Sequence, residues 1–100
     1  MNSQELAYSI KSLTPKEKSI VELIVLGNST KQIAEKLFNS KRTIDTHRQN
    51  IAVKFNRCGQ GRLFLFLIEN KSRILKMLAP TTPPAFINNM NQSQYDSFSY

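Results

Sequence analysis

The stretch SKRTIDTHRQNI, from Ser40 to Ile51, carries the side chains of this sequence that are best suited to contacting a nucleic acid. Ile44 and Ile51 are seven residues apart, so a helix through this stretch would carry both on one face. If that face is buried, the opposite face exposes a guanidinium, a carboxylate, a hydroxyl and an amide. These groups belong to Arg42, Asp45, Thr46 and Gln49, which we interpret as candidate base-reading residues.

Each of these four side chains matches a group on the major-groove edge of a base pair. Arginine pairs with guanine and glutamine with adenine, aspartate accepts from the amino group of cytosine, and threonine contacts the methyl group of thymine. The major groove of B-form DNA is also wide enough for a single α-helix. Charge alone does not separate this interpretation from an ordinary solvated helix face, so the neighbouring residues have to decide.

Basic and hydroxyl side chains around the stretch favour the DNA interpretation. Lys31 lies near the start of the preceding helix and Lys54 at the end of the candidate recognition helix, so the two could contact phosphates on both sides of a groove. The first turn of the recognition helix is itself favourable to phosphate. The predicted phosphate-contacting residues are Lys31, Lys41, Thr43, His47, Arg48 and Lys54, with Arg42 suited to either role.

The sequence predicts an all-α domain in which one helix signal closely follows another. Thr14 and Glu17 form a capping box at the start of a first helix, and Gly27 ends it. A second helix begins at Ser29 and a third, the recognition helix, covers about residues 40–55. The expected buried face of the second helix consists of Ile33, Ala34, Leu37 and Phe38. Two short helices joined by a tight turn, with another helix packed beneath, form a helix-turn-helix unit.

A fourth helix is predicted over about residues 61–78, and it carries more apolar side chains than a small core can bury. Its expected inward stripe consists of Leu63, Leu67, Ile74 and Leu78. Leu65 and Phe66 are expected to point elsewhere. Because an apolar surface left uncovered in this way favours a protein partner, we predict a homodimer. The predicted interface residues are Phe64, Leu65, Ile68 and Leu75.

The composition bounds the class of function. The chain has 100 residues and a net charge of +7, which allows one small domain and favours a polyanionic partner. One cysteine and one histidine provide neither a disulfide framework nor a thiolate zinc site. The sequence has no paired carboxylates, Ser-His-Asp set or glycine-rich phosphate loop that would indicate an enzyme. We predict no catalytic residue, metal or cofactor, and double-stranded DNA as the partner.

Changes in composition along the chain suggest three segments. Residues 1–12 are interpreted as an N-terminal lead segment, 13–79 as the helical domain, and 80–100 as a flexible tail rich in Pro, Asn and Ser. The start of the chain lacks the pattern of a signal peptide. The longest apolar run, LFLFLI, is too short to span a bilayer, so we expect no membrane association.

The run from Leu13 to Phe55 resembles the C-terminal DNA-binding domain of LuxR-type transcription regulators. Those domains typically read L-T-x-R-E-x-x-V-L, then a glycine, then S-x-K-E-I-A-x-x-L, then S-x-x-T-V-x-x-H-x-x-x-I-x-x-K-L. The matching residues here are Leu13, Thr14, Glu17, Gly27, Ser29, Lys31, Ile33, Ala34, Leu37, Ser40, Thr43, His47, Ile51 and Lys54. So many spaced matches make the resemblance highly specific, although it covers somewhat under half of the chain.

The resemblance implies a four-helix domain whose third helix enters the major groove and whose fourth helix mediates dimerisation on inverted repeats. The implied base-reading residues are Asp45, Thr46 and Gln49. The implied phosphate contacts are Lys31, Thr43 and Lys54, with His47 close to the DNA backbone or bracing it. Because few residues precede Leu13, the chain resembles the single-domain members of the family. A bacterial, cytoplasmic, nucleoid-associated protein is the expected context.

Departures from the family pattern bear on specificity and on the fourth helix. Asp45 stands where many members carry lysine. A carboxylate in the groove repels phosphate, so we expect it to lower non-specific affinity and to sharpen selectivity if it reads cytosine. Arg57 replaces an apolar residue and Gly61 replaces a threonine cap before the fourth helix, whose Phe-rich sequence differs from the Ala-rich version common in the family.

Two functions therefore remain open. The leading hypothesis is a sequence-specific, DNA-binding transcription regulator that binds as a dimer, with RNA polymerase or a related regulator as further partners. The alternative is a protein-interaction module, an anti-activator that forms mixed dimers with a full-length relative through its fourth helix. Asp45 and the apolar surface around Phe64 favour this alternative, which predicts weak DNA binding by the chain alone.

Overall fold

The computed structural model describes residues 1–78 of the chain. Six α-helices make up the regular structure of this range: α1 (Ser3–Lys11), α2 (Pro15–Val25), α3 (Thr30–Leu37), α4 (Lys41–Lys54), α5 (Arg62–Glu69) and α6 (Lys71–Leu78). No strand occurs between residues 1 and 78, and the predicted all-α class is confirmed. The predicted tail over 80–100 lies outside the described residues.

Side-chain caps start the middle helices where the sequence predicts. The hydroxyl of Thr14 accepts from the backbone N–H of Glu17, whose carboxylate accepts from the N–H of Thr14. Ser29 and Gln32 form the same reciprocal pair at α3. The Ser40 hydroxyl caps α4 by accepting from the backbone of its third residue. Each cap satisfies donors that a helix start leaves unpaired, which fixes where the helix begins.

A single hydrophobic core holds the helices together and orients α4. Ile44, Ile51 and Phe55 are fully buried, and α4 packs against α2 and α3. From α2 the core receives Ile20, Val21, Ile24 and Val25. The inward orientation of Ile44 and Ile51, on which the recognition-helix prediction depends, is confirmed.

The segment before Leu13 contains a helix that the sequence analysis did not predict. Asn2 and Glu5 form a capping box at the start of α1, and Leu6 and Ile10, one turn apart, enter the common core. The helix packs against α6. The lead segment predicted over residues 1–12 therefore contributes to the core of the domain.

The predicted fourth helix is two helices, α5 and α6, separated at Asn70. The side-chain amide of Asn70 donates to the carbonyl of Phe66 at 2.8 Å, and the guanidinium of Arg73 binds the Asn70 side-chain oxygen. Asparagine that bonds to nearby backbone in this way competes with helix continuation. With α1, this break gives six helices in the described residues where the sequence predicted four.

Two phenylalanines lie opposite to their predicted positions. Phe66 is buried, with its ring 5.4 Å from that of Phe55 and the Arg57 guanidinium 4.4 Å above its centre. Phe38 is 92% exposed, because it follows the last turn of α3 in a left-handed conformation, φ 56°, where helical periodicity no longer applies. The predictions of an outward Phe66 and an inward Phe38 were wrong. Within residues 1–78, no helix has the length and apolarity to cross a membrane.

Candidate nucleic-acid interface

A tight turn joins α3 to α4 and sets the angle between them. The backbone N–H of Asn39 bonds to the carbonyl of Ala34 at 2.9 Å, which closes α3 around the left-handed Phe38. The side-chain oxygen of Asn39 accepts from the ammonium of Lys16 at 3.3 Å, so α2 also contacts the turn. Ser40 then caps α4 directly. The geometry is that of a helix-turn-helix pair whose second helix is α4.

The side of α4 opposite Ile44 and Ile51 carries the predicted base-reading residues. We call this exposed strip the α4 ridge; it consists of Arg42, Asp45, Thr46 and Gln49, all exposed. The structure thus brings the four predicted side chains together on one surface. Asn50 is also exposed on this side and was missed. Its position four residues after Thr46 was the available signal, because residues four apart share a helix face.

Two side chains of the ridge, Thr46 and Asp45, differ in whether their polar groups are already bonded within the domain. The hydroxyl of Thr46 donates to the carbonyl of Arg42 at 3.1 Å, which leaves its methyl group as the part free for a new contact. The carboxylate of Asp45 forms no ion pair with any cation of residues 1–78. Asp45 is therefore free to accept a hydrogen bond from a partner.

Three predicted phosphate contacts lie at the N-terminal ends of the paired helices. Lys31 is exposed in the first turn of α3, and Lys41 and Thr43 are exposed in the first turn of α4. The Thr43 hydroxyl oxygen accepts from the Ser40 hydroxyl at 2.9 Å, so its own hydrogen remains available to an anion. Helix N-termini favour negative charge, which suits these positions to phosphate.

His47 is half-buried, and its Nδ1 atom is buried without a hydrogen-bond partner. The Nδ1 atom is inaccessible and forms no hydrogen bond with any of residues 1–78. Nδ1 therefore cannot reach a DNA phosphate, which leaves Nε2 as the ring nitrogen that could donate to one.

Arg48 lies on the flank of α4 rather than on the ridge. It is half-buried and lines an open cleft of about 350 Å³ between α4 and α5, together with Val53 and Phe64. Gln49 lines the same cleft from the ridge side. The cleft therefore adjoins both the predicted base-reading residues and the predicted dimer helix.

Lys54 differs from the other predicted phosphate contacts because its ammonium is already bound within the domain. Its Nζ lies 2.6 Å from Oε1 of Glu17 and 3.0 Å from the carbonyl oxygen of Ser12. The Glu17 side chain is only 6% exposed, so Lys54 neutralises a buried charge. A phosphate contact of Lys54, as predicted from the sequence, would have to compete with this ion pair.

The ionisation of Glu17 reflects this arrangement. Burial raises the pKa of its carboxyl, but four other influences together outweigh burial. Hydrogen bonds from Lys54 and from the Thr14 backbone favour the charged form, as do the positive charges of Lys54 and His47. The net result is a pKa of Glu17 below its ordinary value of 4.5. The ion pair connects the end of α4 to the start of α2.

The predicted dimer residues fall into two groups. Phe64, Leu65 and Ile68 of α5 are exposed, as is Val53 of α4 on the other side of the cleft. Leu75 is half-buried against the domain's own core and offers little surface to a partner. The uncovered apolar surface beside the cleft therefore belongs to α5 and the end of α4.

The capped α3–turn–α4 pair and the exposed ridge define a helix-turn-helix DNA-binding domain. Residues 11–61 match the family described as bacterial regulatory proteins, luxR family, and the chain belongs to this family. It is accordingly a DNA-binding domain of the transcription-regulator class, and the resemblance seen in the sequence is confirmed. The family and the relatives named below are regulators rather than enzymes.

Three bacterial regulators illustrate the similarity. The transcriptional regulatory protein MctR of Rhizobium johnstonii is 50% identical over 42 residues, 42% of this chain and 20% of that protein. The oxygen regulatory protein NreC of Staphylococcus epidermidis is 36% identical over 61 residues, 61% of this chain and 28% of its own length. The transcriptional regulatory protein FixJ of Bradyrhizobium diazoefficiens is 36% identical over 52 residues, which are 52% of this chain and 25% of FixJ. The matched part thus spans 20–28% of these relatives. No solved structure gives a significant match.

Proposed function

We propose that this domain binds double-stranded DNA sequence-specifically as a dimer and regulates transcription, with α4 in the major groove. The observation that carries the proposal is the α4 ridge, exposed along its length and backed by the buried Ile44 and Ile51. A ridge of polar side chains on a rigid helix matches the donor and acceptor pattern of base edges. Such a protein would act on the bacterial nucleoid, in the cytoplasm.

The ridge residues take different roles in this proposal. Gln49 makes paired hydrogen bonds to an adenine, and Asp45 accepts from a cytosine amino group. The methyl group of Thr46 contacts that of a thymine, because its hydroxyl is already bonded to the helix backbone. Arg42, in the first turn, reaches either a guanine or a phosphate.

In this proposal, most of the phosphate contacts come from the N-terminal turns of α3 and α4. Lys31, Lys41 and Thr43 hold the DNA backbone, and His47 donates from Nε2. Arg48 has a lesser part, because it lies beside α5 and is half-buried. Lys54 is reassigned to the stability of the domain, because its ammonium is bonded to Glu17 and Ser12.

The dimer interface in this proposal is the exposed side of α5. Phe64, Leu65 and Ile68 form an exposed apolar surface on α5, and such surfaces favour protein partners. A two-fold dimer would present two α4 helices to two half-sites of an inverted repeat. Leu75 is left out because its side chain packs against the domain's own core.

The alternative, an anti-activator that forms mixed dimers with a longer relative, is favoured by the same apolar side of α5. It shares the dimer helix with the leading proposal and differs in DNA binding by the chain alone. Under the alternative, the isolated protein binds DNA weakly. When a relative that carries the same domain is added, the two proteins form a mixed dimer.

The leading proposal is tested in two steps. Fragments bound by the protein are first selected from random DNA, and their affinities are then measured by anisotropy titrations at several salt concentrations. Lys31→Ala should weaken binding to all sequences and reduce the salt slope by about 1. Gln49→Ala should change preference by about 1–3 kcal/mol at one base and leave the salt slope nearly unchanged. Lys36→Ala, an exposed lysine in the last turn of α3, is the control. Equal binding to all sequences by the parent protein would exclude specific reading.

A further inference from the structure

The exposed side of α5 is apolar in its middle and oppositely charged at its two ends. Arg62 begins the helix, Glu69 ends it, and Leu65 and Ile68 lie between them, all exposed. Arg62, Leu65 and Glu69 follow each other at intervals of three and four residues, so they form one stripe along the helix. We call this surface the α5 outer face.

Both charges of the α5 outer face are available to a partner. Among residues 1–78, no cation lies within ion-pair distance of Glu69. Arg73, four residues further on, is instead hydrogen-bonded to Asn70 and to Ser3 of α1. Arg62 has only a marginal 3.5 Å contact with the carbonyl oxygen of Cys58.

The stripe is complementary to itself in one orientation only. Arg62 and Glu69 are seven positions apart, which is about 10 Å along a helix. An identical helix laid antiparallel would bring each Arg62 to the opposite Glu69 and would pack the two Leu65 side chains near the centre. A parallel helix would instead place arginine against arginine and glutamate against glutamate.

We propose that a second copy of this chain covers the α5 outer face in antiparallel orientation, with two symmetric Arg62–Glu69 ion pairs around a Leu65 contact. This inference rests on the proposed dimer and specifies its geometry and its partner. In a two-fold interface each contact occurs twice, so both charges are satisfied in the same dimer. The pairing also favours a second copy over a relative that lacks either charge, because the mixed dimer would leave unpaired charges beside the apolar contact.

The charge pattern of the surrounding helices agrees with this arrangement. Glu69 is the only acidic residue of α5 and α6, whereas Arg62, Lys71, Arg73 and Lys76 are basic. Two copies that meet through α5 would therefore repel each other unless acidic groups lie near the contact. Glu69 supplies one such group per copy, at the end of the helix that the antiparallel arrangement places against Arg62.

Charge reversal gives a test with an internal rescue. Arg62→Glu alone and Glu69→Arg alone each convert both ion pairs into like-charge contacts, so each homodimer should dissociate about tenfold more readily at low salt. An equimolar mixture of the two variants restores two opposite-charge pairs. We expect a mixed dimer with a dissociation constant within about twofold of the parent protein, measured by sedimentation velocity and native mass spectrometry. The differences should shrink at high salt.

Matched variants separate this inference from the proposed dimer itself. Lys36→Glu and Glu22→Arg reverse exposed charges outside α5 and should leave self-association unchanged. If Leu65→Lys abolishes the dimer but the mixture of charge variants is no tighter than either alone, antiparallel pairing is wrong and the dimer stands. If the parent protein stays monomeric in solution and on DNA, both the dimer and its geometry are wrong. Thermal unfolding of each variant verifies that it is folded.

Discussion

The α4 ridge and the α5 outer face are neighbouring surfaces of one domain, yet they suit opposite environments. The ridge keeps its guanidinium, carboxylate and amide exposed, and burial of such groups against protein without matched partners would be costly. The α5 outer face exposes leucine and isoleucine and confines its charges to the ends. A hydrated, polyanionic partner suits the first surface, whereas a protein partner with an apolar centre suits the second.

The largest effect is expected when a charge is introduced in the middle of the α5 outer face. Leu65→Lys places an ammonium in the proposed dimer contact, so the dimer should be lost. Affinity for an inverted repeat should then fall by about 100-fold, because two linked half-site contacts become one. Leu26→Lys is the matched control, because Leu26 is 55% exposed against 60% for Leu65 but lies at the end of α2. Equal losses of DNA affinity in both variants would show that the α5 outer face is not the dimer contact.

The second prediction is that Lys54 contributes to the stability of the domain, unlike the ridge on the same helix, which is proposed to contact DNA. Lys54→Met leaves the buried carboxylate of Glu17 without its ammonium partner, so the free energy of unfolding should fall by about 2 kcal/mol. The salt slope of DNA binding should stay the same at a temperature where the variant is folded. Urea unfolding and anisotropy give the two quantities, with Lys31→Met as the opposite case: normal stability and a reduced slope. A reduced slope in Lys54→Met would return Lys54 to the phosphate contacts.

A smaller effect follows from the lowered pKa of Glu17. Because the folded-state pKa lies below the ordinary value of 4.5, the ionised carboxylate stabilises the fold above that pH. This contribution should be lost as the pH falls from about 4.5 through the folded-state pKa. Urea unfolding between pH 7 and pH 3 should show a smaller decline for Lys54→Met, because the hydrogen bond and charge of Lys54 no longer lower the pKa of Glu17. Glu22→Gln, at an exposed carboxylate, should follow the parent curve.

Local signals in the sequence were sufficient for the helix-turn-helix unit. The caps at Thr14, Ser29 and Ser40 are each complete within four residues, and Ile44 and Ile51 define the buried side of α4 by spacing alone. The same kind of signal was present at Asn2 and Glu5, where α1 was overlooked. These features depend on chain neighbours, and the sequence displays them directly.

The features that were not predicted depend on contacts between distant residues. Lys54 fitted the pattern of a phosphate contact, but its partner Glu17 lies 37 positions earlier in the chain. The break at Asn70 is held by Arg73, which also reaches Ser3 across the α1–α6 contact. Phe66 is buried because Phe55 and Arg57 pack against it. Periodicity within one helix does not contain this information.

The smallest expected effect, at Asp45, tests whether the ridge faces DNA at all. Asp45→Asn removes the only acidic group of the ridge and retains its size, so repulsion from phosphate should decrease. Affinity for random DNA should rise about two- to fivefold, and preference at one base should weaken by about 1 kcal/mol if the carboxylate accepts from cytosine. Glu35→Gln on α3 is the control, an exposed carboxylate outside the ridge. Unchanged affinity and preference in Asp45→Asn would place the ridge away from the DNA, and the difference between the two surfaces would then need another cause.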